Sequence, residues 1–378
     1  FENRGLGSNR VRDVLEDSQG HIWFATDRGL HFYGGGSHFV RYELDLSNPR
    51  SVSDNTIVTL FQDEGGVIWV GTFNGLSKWN AQIELFPYFR RPASDTGSTE
   101  SNNITSFIGL PNNDVWIGTF SGLMKWDSSS ASLVSFEPEE MGLFDRRVMS
   151  LGVDGSSVWA GTMTSGVNII EENKVVDHYY FEELNPSSVS SNAITKIYKD
   201  NNGAMWVTTY GGGVNKHIGD GVFRRYPESQ EDQAKFSDLR CMDIVQVSDG
   251  RYWIATQGGG VIVLDAETGE THVLQHNPND KSSIPSNEVL SLLSIKDGVW
   301  IGTVNRGLSY YNFASRQISR FSKRDGLASD AIYGLLMDDR GMIWASGGKG
   351  LSLMDPRTHS FKLFDSTHGL QSSDFNSG

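Results

Sequence analysis

Short runs in which apolar and polar residues alternate follow one another along the chain, and Gly and Asp residues separate them. Residues 56–62 alternate as a strand, and residues 63–66, Asp-Glu-Gly-Gly, supply the turn of a hairpin. A mostly apolar strand at 67–72 follows, then a third strand at 76–79 and a fourth around 84–89. The pattern predicts a unit of four short antiparallel strands, with no helical periodicity between them.

This unit recurs eight times, and a Trp in the second strand marks each copy. The marker residues, separated by 43 to 47 positions, are Trp23, Trp69, Trp116, Trp159, Trp206, Trp253, Trp300 and Trp344. A fixed period of this length is typical of β-propellers, whose blades are four-stranded antiparallel sheets. A β-sandwich or an up-and-down barrel does not explain a Trp at blade-length intervals. We therefore predict an all-β propeller in which each Trp packs between adjacent blades.

The linker before the first strand of the unit also repeats. It reads Ser-Val-Ser-Asp-Asn at 51–55, Ser-Val-Ser-Ser-Asn at 188–192 and Ser-Ile-Pro-Ser-Asn at 283–287, with related sequences at 5–9 and 326–330. A phrase of the type Asp-x-x-Gly-x-Ile-Trp-x-Gly-Thr-x-x-Gly-Leu follows it. Linker and phrase together resemble the two-component regulator propeller repeat, and the resemblance extends over residues 5–365.

The resemblance implies a function in sensing. Members of this family are typically extracytoplasmic sensor regions of bacterial hybrid histidine kinases, or of related receptors with diguanylate cyclase outputs. It thus implies a periplasmic, ligand-sensing domain that is not catalytic by itself, in a chain that is a fragment of a longer receptor. Such receptors are also expected to signal as dimers, so a homodimer is implied as well.

The number of blades departs from the family pattern, because propellers of this family usually have seven. Eight complete units are present here. We favour eight blades in a single domain over residues 1–378, because a lone extra blade would expose an apolar face and an unpaired edge. The alternative is seven closed blades followed by the start of a second ring.

Composition limits the partners and cofactors. A net charge of −14 argues against nucleic acid, since binding to phosphates needs clustered Lys and Arg. The single cysteine, Cys241, excludes an intramolecular disulfide and a multi-cysteine metal site, and we interpret it as a small apolar strand residue. No stretch approaches the roughly 20 apolar residues that span a bilayer, so no membrane contact is predicted for this segment. No cofactor or metal is predicted.

Candidate binding residues lie where the repeated phrase varies. In a propeller, the turns between second and third strands lie on the same face as the linkers between blades. The turn candidates are Arg28, Phe73, Asn74, Phe120, Tyr210, Gln257, Asn305, Arg306 and Lys349. Aromatic and amide side chains suit an oligosaccharide or another small polar ligand, although exposed turn residues also vary without function.

The first strands, which are expected to line an axial channel, add charged candidates where other units carry Ser or Thr. These candidates are Arg12, Asp13, Lys196, Arg240 and Asp243. Ordinary ion pairs across a solvated channel are the alternative explanation. Arg146 and Arg147, in an irregular linker, are also suited to an anionic ligand, and exposure explains them equally well.

Other function classes stay open. A plain interaction scaffold, which binds another protein or a second copy of the chain, is not excluded. Streptogramin-type lyases also repeat a Trp-bearing strand, but they place His with a metal near the axis, and no His falls in a predicted first strand here. A glycoside hydrolase needs two convergent carboxylates, for which Asp13 and Asp243 are the only first-strand pair. No catalytic residue is therefore assigned.

Overall fold

The computed structural model describes residues 8–35, 39–45, 51–63, 66–79, 103–130, 132–229 and 232–365, together with residues 368, 370 and 375. These residues form eight antiparallel sheets, seven of four strands and one of three, and each sheet contains one copy of the repeat. Within every sheet the strands lie in sequence order. The prediction of an all-β propeller built from eight blades is confirmed.

The described residues divide into two compact units. The first unit contains blades 1 and 2. Blade 1 consists of β1 (Val11–Glu16), β2 (Ile22–Thr26), β3 (Gly29–Tyr33) and β4 (Val40–Tyr42), and blade 2 of β5 (Ile57–Gln62), β6 (Ile68–Thr72) and β7 (Gly75–Trp79). The fourth strand predicted around 84–89 lies outside the described residues.

The second unit contains blades 3 to 8. Blade 3 has β8 (Ile104–Gly109), β9 (Val115–Thr119), β10 (Gly122–Asp127) and β11 (Ser132–Phe136), and blade 4 has β12 (Val148–Asp154), β13 (Ser157–Thr162), β14 (Val167–Glu171) and β15 (Lys174–Tyr179). Blade 5 has β16 (Ile194–Lys199), β17 (Met205–Thr209), β18 (Gly213–Gly219) and β19 (Val222–Tyr226), and blade 6 has β20 (Cys241–Gln246), β21 (Tyr252–Thr256), β22 (Val261–Leu264) and β23 (Thr271–Leu274). Blade 7 has β24 (Val289–Ile295), β25 (Gly298–Thr303), β26 (Leu308–Asn312) and β27 (Ile318–Phe321), and blade 8 has β28 (Ile332–Met337), β29 (Ile343–Gly347), β30 (Gly350–Asp355) and β31 (Ser360–Phe364).

Among the described residues, helical structure is confined to single turns. A four-residue helix, α1 (Pro138–Met141), and short 3₁₀ segments at Asp232–Lys235 and Lys323–Asp325 lie in linkers between blades. None of the helices in the described ranges has the length and apolar character that crossing a membrane requires.

The marker Trp residues pack between adjacent blades, as predicted. The Trp206 ring is fully buried and lies 4.2 Å, between ring centroids, from Tyr252 of the next blade. In the first unit, Trp23 lies 4.5 Å from Trp79 of the following blade. Because a sheet of four short strands buries little area by itself, these aromatic contacts supply much of the cohesion between neighbouring blades.

Within each unit, the first strands of successive blades also lie side by side. Each first strand has a register shift after its first residue, and the residue that follows the shift points toward the next blade in several copies. Ser150 Oγ accepts a hydrogen bond from the backbone of Ile197 at 2.9 Å, and Asp243 Oδ2 accepts one from the backbone of Leu292 at 2.8 Å. This bulge position therefore joins blades through side-chain oxygens.

Candidate functional site

Each blade has two ends with different chemistry. We call the end that carries the first-to-second and third-to-fourth strand turns the hairpin end. The linker end carries the second-to-third strand turn and the linker that precedes the first strand. At the linker end, the backbone N–H of Tyr210 donates to Ala193 O at 2.8 Å, and that of Gln257 donates to Arg240 O at 3.0 Å. This repeated bond places the variable turn beside the linker of the same blade, as the sequence predicts.

Repeated residues fix the geometry of the linker end and leave the turn residues free to vary. The Thr209 hydroxyl donates to Gly213 O at 3.0 Å and closes the turn that carries Tyr210. Gly213 has a φ of 81°, and a Cβ there would lie 2.3 Å from Tyr226 O. Only Gly fits this position, because the neighbouring backbone approaches too closely for any side chain.

The junction of blades 5 and 6 brings together three of the predicted residues, Tyr210, Arg240 and Gln257. Tyr210 and Arg240 form an isolated β-bridge, and the Tyr210 side chain helps to raise the pKa of the Arg240 guanidinium. The Tyr210 residue is 44% exposed, so its ring remains accessible. Gln257 Oε1 is buried and has no hydrogen-bond partner in the described part of the chain. A buried amide oxygen without a donor marks a place where a bound group would be stabilised.

Asp238, which the sequence analysis did not select, holds Arg240 in place. Arg240 Nε and Nη2 donate to the two Asp238 oxygens at 3.0 and 2.7 Å. Burial favours the neutral form of Asp238, but the hydrogen bonds from Arg240 outweigh it and keep the pKa of that carboxyl below its usual value. The hydrogen bond to Asp238, followed by the influence of the Tyr210 side chain, raises the pKa of Arg240. The guanidinium is thus a fixed cation at the protein surface.

Lys196 and Asp243, on the first strands of blades 5 and 6, lie at the same junction. The Lys196 ammonium is 3.7 Å from Asp243 Oδ1, which is an ion pair without a short hydrogen bond. The backbone N–H groups of Leu292 and Ile244 already donate to the Asp243 carboxylate at 2.8 and 2.9 Å. Asp243 therefore joins strands of adjacent blades, whereas Lys196 has no comparable structural task.

Blade 4 repeats the acid-anchored arginine. Arg147 donates through Nε and Nη2 to the Asp145 carboxylate, both at 3.1 Å, and the Thr164 hydroxyl donates to the same carboxylate at 2.6 Å. Beside this network lies an aromatic stack that sequence analysis missed. The rings of Phe144 and His178 are nearly parallel with centroids 3.7 Å apart, and Tyr180 lies on the other side of His178 at 5.1 Å.

The remaining candidates of the second unit lie at the linker ends of other blades. Asn305 donates to Glu288 Oε2 at 3.0 Å, and the neighbouring Arg306 is exposed. Phe120 of blade 3 is half-buried, and Lys349 of blade 8 is exposed. No described hydrogen bond or ion pair joins any of these residues to the junction of blades 5 and 6.

The candidates of the first unit form a smaller group. The Arg12 guanidinium lies 5.4 Å from the centroid of the Phe73 ring, which is 68% exposed. Asp13 has the same structural task as Asp243, since it accepts the backbone N–H of Leu60 at 2.8 Å. Arg28 and Asn74 are exposed turn residues. Each donates its backbone N–H to the hydroxyl of the Thr that ends the second strand of its own blade, Arg28 to Thr26 at 3.1 Å and Asn74 to Thr72 at 3.2 Å.

The missed residues had a weak signal in the sequence. In most blades the third residue before the first strand is Ser, and its hydroxyl caps the backbone N–H two residues later, as Ser191 does for Ala193 at 3.2 Å. This position is Asp in blades 2, 4 and 6, and the residue two positions later is Thr56 in blade 2 but Arg in blades 4 and 6. An Asp-x-Arg triplet in place of Ser-x-x therefore indicates the anchored arginine, whereas the stack of Phe144 on His178 has no such local pattern.

The residues that the two enzyme classes would need are arranged differently in this structure. None of the eight first strands contains a His, and the described residues contain no group of three His, Cys, Asp or Glu side chains arranged to hold a metal ion. Asp13 and Asp243, the pair considered for glycoside hydrolysis, are each bound by backbone N–H groups of a neighbouring strand. Their hydrogen bonds are accounted for by the assembly of the blades.

Comparison with known proteins bears on the repeat itself. Residues 5–28, 51–74 and 188–211 match the model of a family described as "Two component regulator propeller". Three segments of the chain therefore match the two component regulator propeller repeat. Each matched segment begins in a linker, continues through the first two strands of a blade and ends in the variable turn, so Arg28, Phe73 and Tyr210 all belong to matched repeats.

Solved structures similar to this chain share the fold. The extracellular domain of BT4673 from B. thetaiotaomicron, named as a hybrid two component system, has a TM-score of 0.58 at 20% identity, over 94% of this chain and 48% of that one. PorZ, a surface component of the type-IX secretion system of Porphyromonas gingivalis, has a TM-score of 0.56 at 14% identity, over 96% of this chain and 58% of that one. Virginiamycin B lyase from Staphylococcus aureus has a TM-score of 0.53 at 14% identity, over 70% of this chain and 85% of that one.

The chain therefore spans about half the length of the BT4673 extracellular domain, 48% of it. A comparison with curated proteins found no match. At these identities the solved structures establish the propeller fold of the repeats, and function must be argued from the residues at the linker ends.

Proposed function

We propose that this chain is a ligand-sensing, extracytoplasmic propeller domain of a bacterial two-component or cyclic-di-GMP signalling receptor, and that it is not catalytic by itself. The two component regulator propeller repeats support this proposal, as does the likeness in fold to the BT4673 extracellular domain. The location that goes with it is the periplasm. The signalling output would lie in another part of a longer receptor.

One observation carries the proposal. Tyr210, Arg240 and Gln257 converge at the junction of blades 5 and 6, with one exposed ring, one fixed cation and one buried oxygen that lacks a donor. Convergence of an apolar face with a few oriented polar groups is the usual composition of a small-molecule site.

The ligand class that suits these side chains is a small polar molecule or an oligosaccharide. The face of the Tyr210 ring packs against C–H groups, while the Gln257 amide and the tyrosine hydroxyl exchange hydrogen bonds with hydroxyl groups. No cofactor or metal is part of the proposal. The absence of His from the first strands separates the chain from a lyase that holds its metal near the axis.

A thermal-shift screen over neutral and charged oligosaccharides and small organic acids tests the proposal. A ligand at 100 times its dissociation constant stabilises the folded state by about 2.7 kcal/mol, which raises the melting temperature measurably. We expect Tyr210→Met and Gln257→Val to abolish the shift, because Met163 and Val304 occupy these positions in blades 4 and 7 and each variant should therefore fold.

Asp249→Ala is the control, since Asp249 lies at the hairpin end of blade 6 and pairs only with exposed Arg251. The control should keep the shift of the unmodified protein. Retention of a ligand-induced shift in both site variants would place the binding site elsewhere. A screen without any stabilising compound would refute ligand sensing by this domain.

A second candidate function, an interaction scaffold, is favoured by the stack on blade 4. Phe144 is 59% exposed although its ring is held rigidly on His178, so it offers a fixed apolar surface. A homodimer is the partner that the sequence predicts. Sedimentation equilibrium of the chain and of Phe144→Ser tests this: a dimer that the substitution dissociates supports it, and a monomer at all concentrations opposes it.

A further inference from the structure

The residue that follows the bulge of each first strand is normally a hydrogen-bond acceptor or is small. At this position the eight blades carry Asp13, Thr59, Ser106, Ser150, Lys196, Asp243, Ser291 and Gly334. In three blades the side-chain oxygen accepts a backbone N–H of the next blade, as Asp13, Ser150 and Asp243 do. The Thr59 hydroxyl instead donates to Asp13, and the hydroxyls of Ser106 and Ser291 are buried without a partner among the described residues. A lysine has no acceptor and cannot form this bond. Lys196 is therefore the one cation of the set, and its contact with the next blade is a 3.7 Å ion pair with Asp243 in place of that hydrogen bond.

The charge of Lys196 is only partly balanced. Its side chain is 44% exposed, and its described polar contact is the 3.7 Å ion pair with Asp243 Oδ1. Asp243 already accepts two backbone hydrogen bonds, which reduce the negative charge that the lysine meets. An ammonium carries three donors, so Lys196 can bind a further acceptor without breaking a structural bond.

Arg240 adds a second cation at the same junction, three residues before Asp243 in the chain. Its side chain is 45% exposed, whereas that of its partner Asp238 is 11% exposed. The carboxylate thus lies behind the guanidinium, and the positive group faces solvent. In a chain with a net charge of −14, two cations presented in this way at one junction are a local exception.

We propose that Lys196 and Arg240 bind an anionic group of the ligand, a carboxylate, sulfate or phosphate, while Tyr210 and Gln257 contact the neutral part beside it. This inference rests on the proposed ligand-sensing function and specifies the chemistry of that same site. Charge-assisted hydrogen bonds from Arg and Lys to such oxyanions are about twice as strong as neutral ones. At physiological salt the Debye length of about 8 Å screens the remaining negative charge of the chain, whereas direct contacts persist.

Isothermal titration calorimetry with defined probes tests the inference. The anionic probes are inorganic phosphate, inorganic sulfate, hexagalacturonate and a sulfated hexasaccharide, and maltohexaose is the neutral probe. These arms separate a free inorganic anion from an anionic group that belongs to a saccharide. We expect at least one anionic probe to bind, and Lys196→Ser and Arg240→Ala each to weaken its binding about tenfold.

The repeat supplies variants that should fold. Ser occupies the position of Lys196 in blades 3, 4 and 7, and Ala occupies that of Arg240 in blades 5 and 8. Lys196→Arg keeps the charge and should keep the binding. The matched control is Arg251→Ala, because Arg251 pairs with Asp249 two residues earlier, as Arg240 does with Asp238, but at the hairpin end of the same blade.

Three results would overturn the inference. One is that no anionic probe binds, another is that Lys196→Ser and Arg240→Ala both bind as tightly as the unmodified chain, and the last is that Arg251→Ala weakens binding equally. A different result would separate the two proposals: maltohexaose or another neutral compound binds, Tyr210→Met abolishes that binding, and no anion binds. Ligand sensing would then be supported, and recognition of an anionic group would be rejected. If no compound binds in either the thermal-shift screen or the calorimetry, both ligand sensing and recognition of an anionic group would be rejected.

Discussion

Asp200 and Asp238 lie at opposite ends of neighbouring blades and use the same local turn for different purposes. Each carboxylate accepts the backbone N–H two residues later at 2.9 Å, from Asn202 and from Arg240 respectively. The other oxygen of Asp200 accepts bonds from the Trp206 indole at 2.9 Å and the Tyr252 hydroxyl at 2.6 Å, both inside the protein. The other oxygen of Asp238 holds a guanidinium that faces solvent.

The difference separates structural charges from candidate functional ones. The bond from a turn Asp to the marker Trp recurs at the hairpin ends of blades 1, 2, 5 and 8, through Asp17, Asp63, Asp200 and Asp338. Recurrence indicates that the fold itself needs this carboxylate. At the linker end, the Asp-x-Arg arrangement occurs only in blades 4 and 6, whereas the pairs Asp249–Arg251, Asp338–Arg340 and Asp355–Arg357 lie at hairpin ends. A charge that most copies lack is therefore the better candidate for binding.

Removal of Asp200 should give the largest loss of stability. Asp200→Ala leaves the Trp206 indole N–H and the Tyr252 hydroxyl buried without their acceptor. It also removes the oxygen that accepts two backbone N–H groups, each at 2.9 Å. We expect the free energy of unfolding to fall by about 3 kcal/mol, measured by chemical denaturation. Asp249→Ala, which removes only an exposed pair, should cost less than about 1 kcal/mol. Equal losses would break the comparison between the two kinds of carboxylate.

The same carboxylate gives the sign of an acid effect. Burial favours the neutral form of Asp200, but hydrogen bonds from Tyr252 and Trp206 outweigh it and lower the pKa. A lowered pKa in the folded state means that the stabilisation is complete above the unfolded value near 4 and is lost as the pH falls through the folded value. The difference in stability between the chain and Asp200→Ala should therefore shrink in strong acid and be constant above about pH 5.

His217, toward the hairpin end of blade 5, should make stability depend on pH less strongly than Asp200 does, and at milder pH. Its ring lies among Trp159, Tyr179 and Phe223, and its Nε2 is buried without a partner in the described structure. Burial lowers its pKa, although Asp154 and Asp220 act in the opposite direction. Its contribution to stability is thus present above the unfolded pKa near 6.5 and is lost as the pH falls through the folded value.

We therefore expect the melting temperature to fall between pH 7.5 and 5.5, and His217→Leu to reduce that fall. Leu264 occupies the equivalent position in blade 6, so the variant should pack. Some slope should remain, because burial also lowers the pKa of His31. A fall of the same size in His217→Leu would show that the aromatic site around the histidine does not govern the response to pH.

The sequence predicted the repeated part of the fold well because local chemistry determines it. Each copy contains its own turn residues, alternating strands and marker Trp, and each folds into one blade with the Trp against its neighbour. The Asn of the repeated linker has a structural task too, since Asn192 Oδ1 accepts the backbone N–H of Phe181 at 2.7 Å. Asn55 and Asn287 make the equivalent bonds to Leu44 and His276, so the chemistry of one blade predicts much of the others.

The candidate site was predicted only in part, because its contacts join segments that are distant in sequence. Lys196 was selected for its unusual position, but its pairing with Asp243 depends on how successive first strands align. The stack of Phe144 on His178 requires the irregular linker after α1 to fold back onto β15, and no periodic pattern indicates that. The grouping of Tyr210 with Arg240 likewise follows from the approach of one blade's turn to the next blade's linker.

Cys241→Val should have the smallest effect on the free energy of unfolding. It tests whether blade 6, which carries Arg240 at its linker end, is otherwise a regular copy of the repeat. Cys241 begins the first strand of blade 6 and is fully buried, and burial raises the pKa of its thiol. The other blades carry Val11, Ile57, Ile104, Val148, Ile194, Val289 and Ile332 at this position. Val should therefore change the free energy of unfolding by less than about 1 kcal/mol, and the native thiol should not react with a thiol reagent. A loss of more than about 2 kcal/mol in the free energy of unfolding would mean that blade 6 departs from the repeat in its core as well as in its charged linker. Arg240 would then no longer be a single departure on an otherwise regular blade.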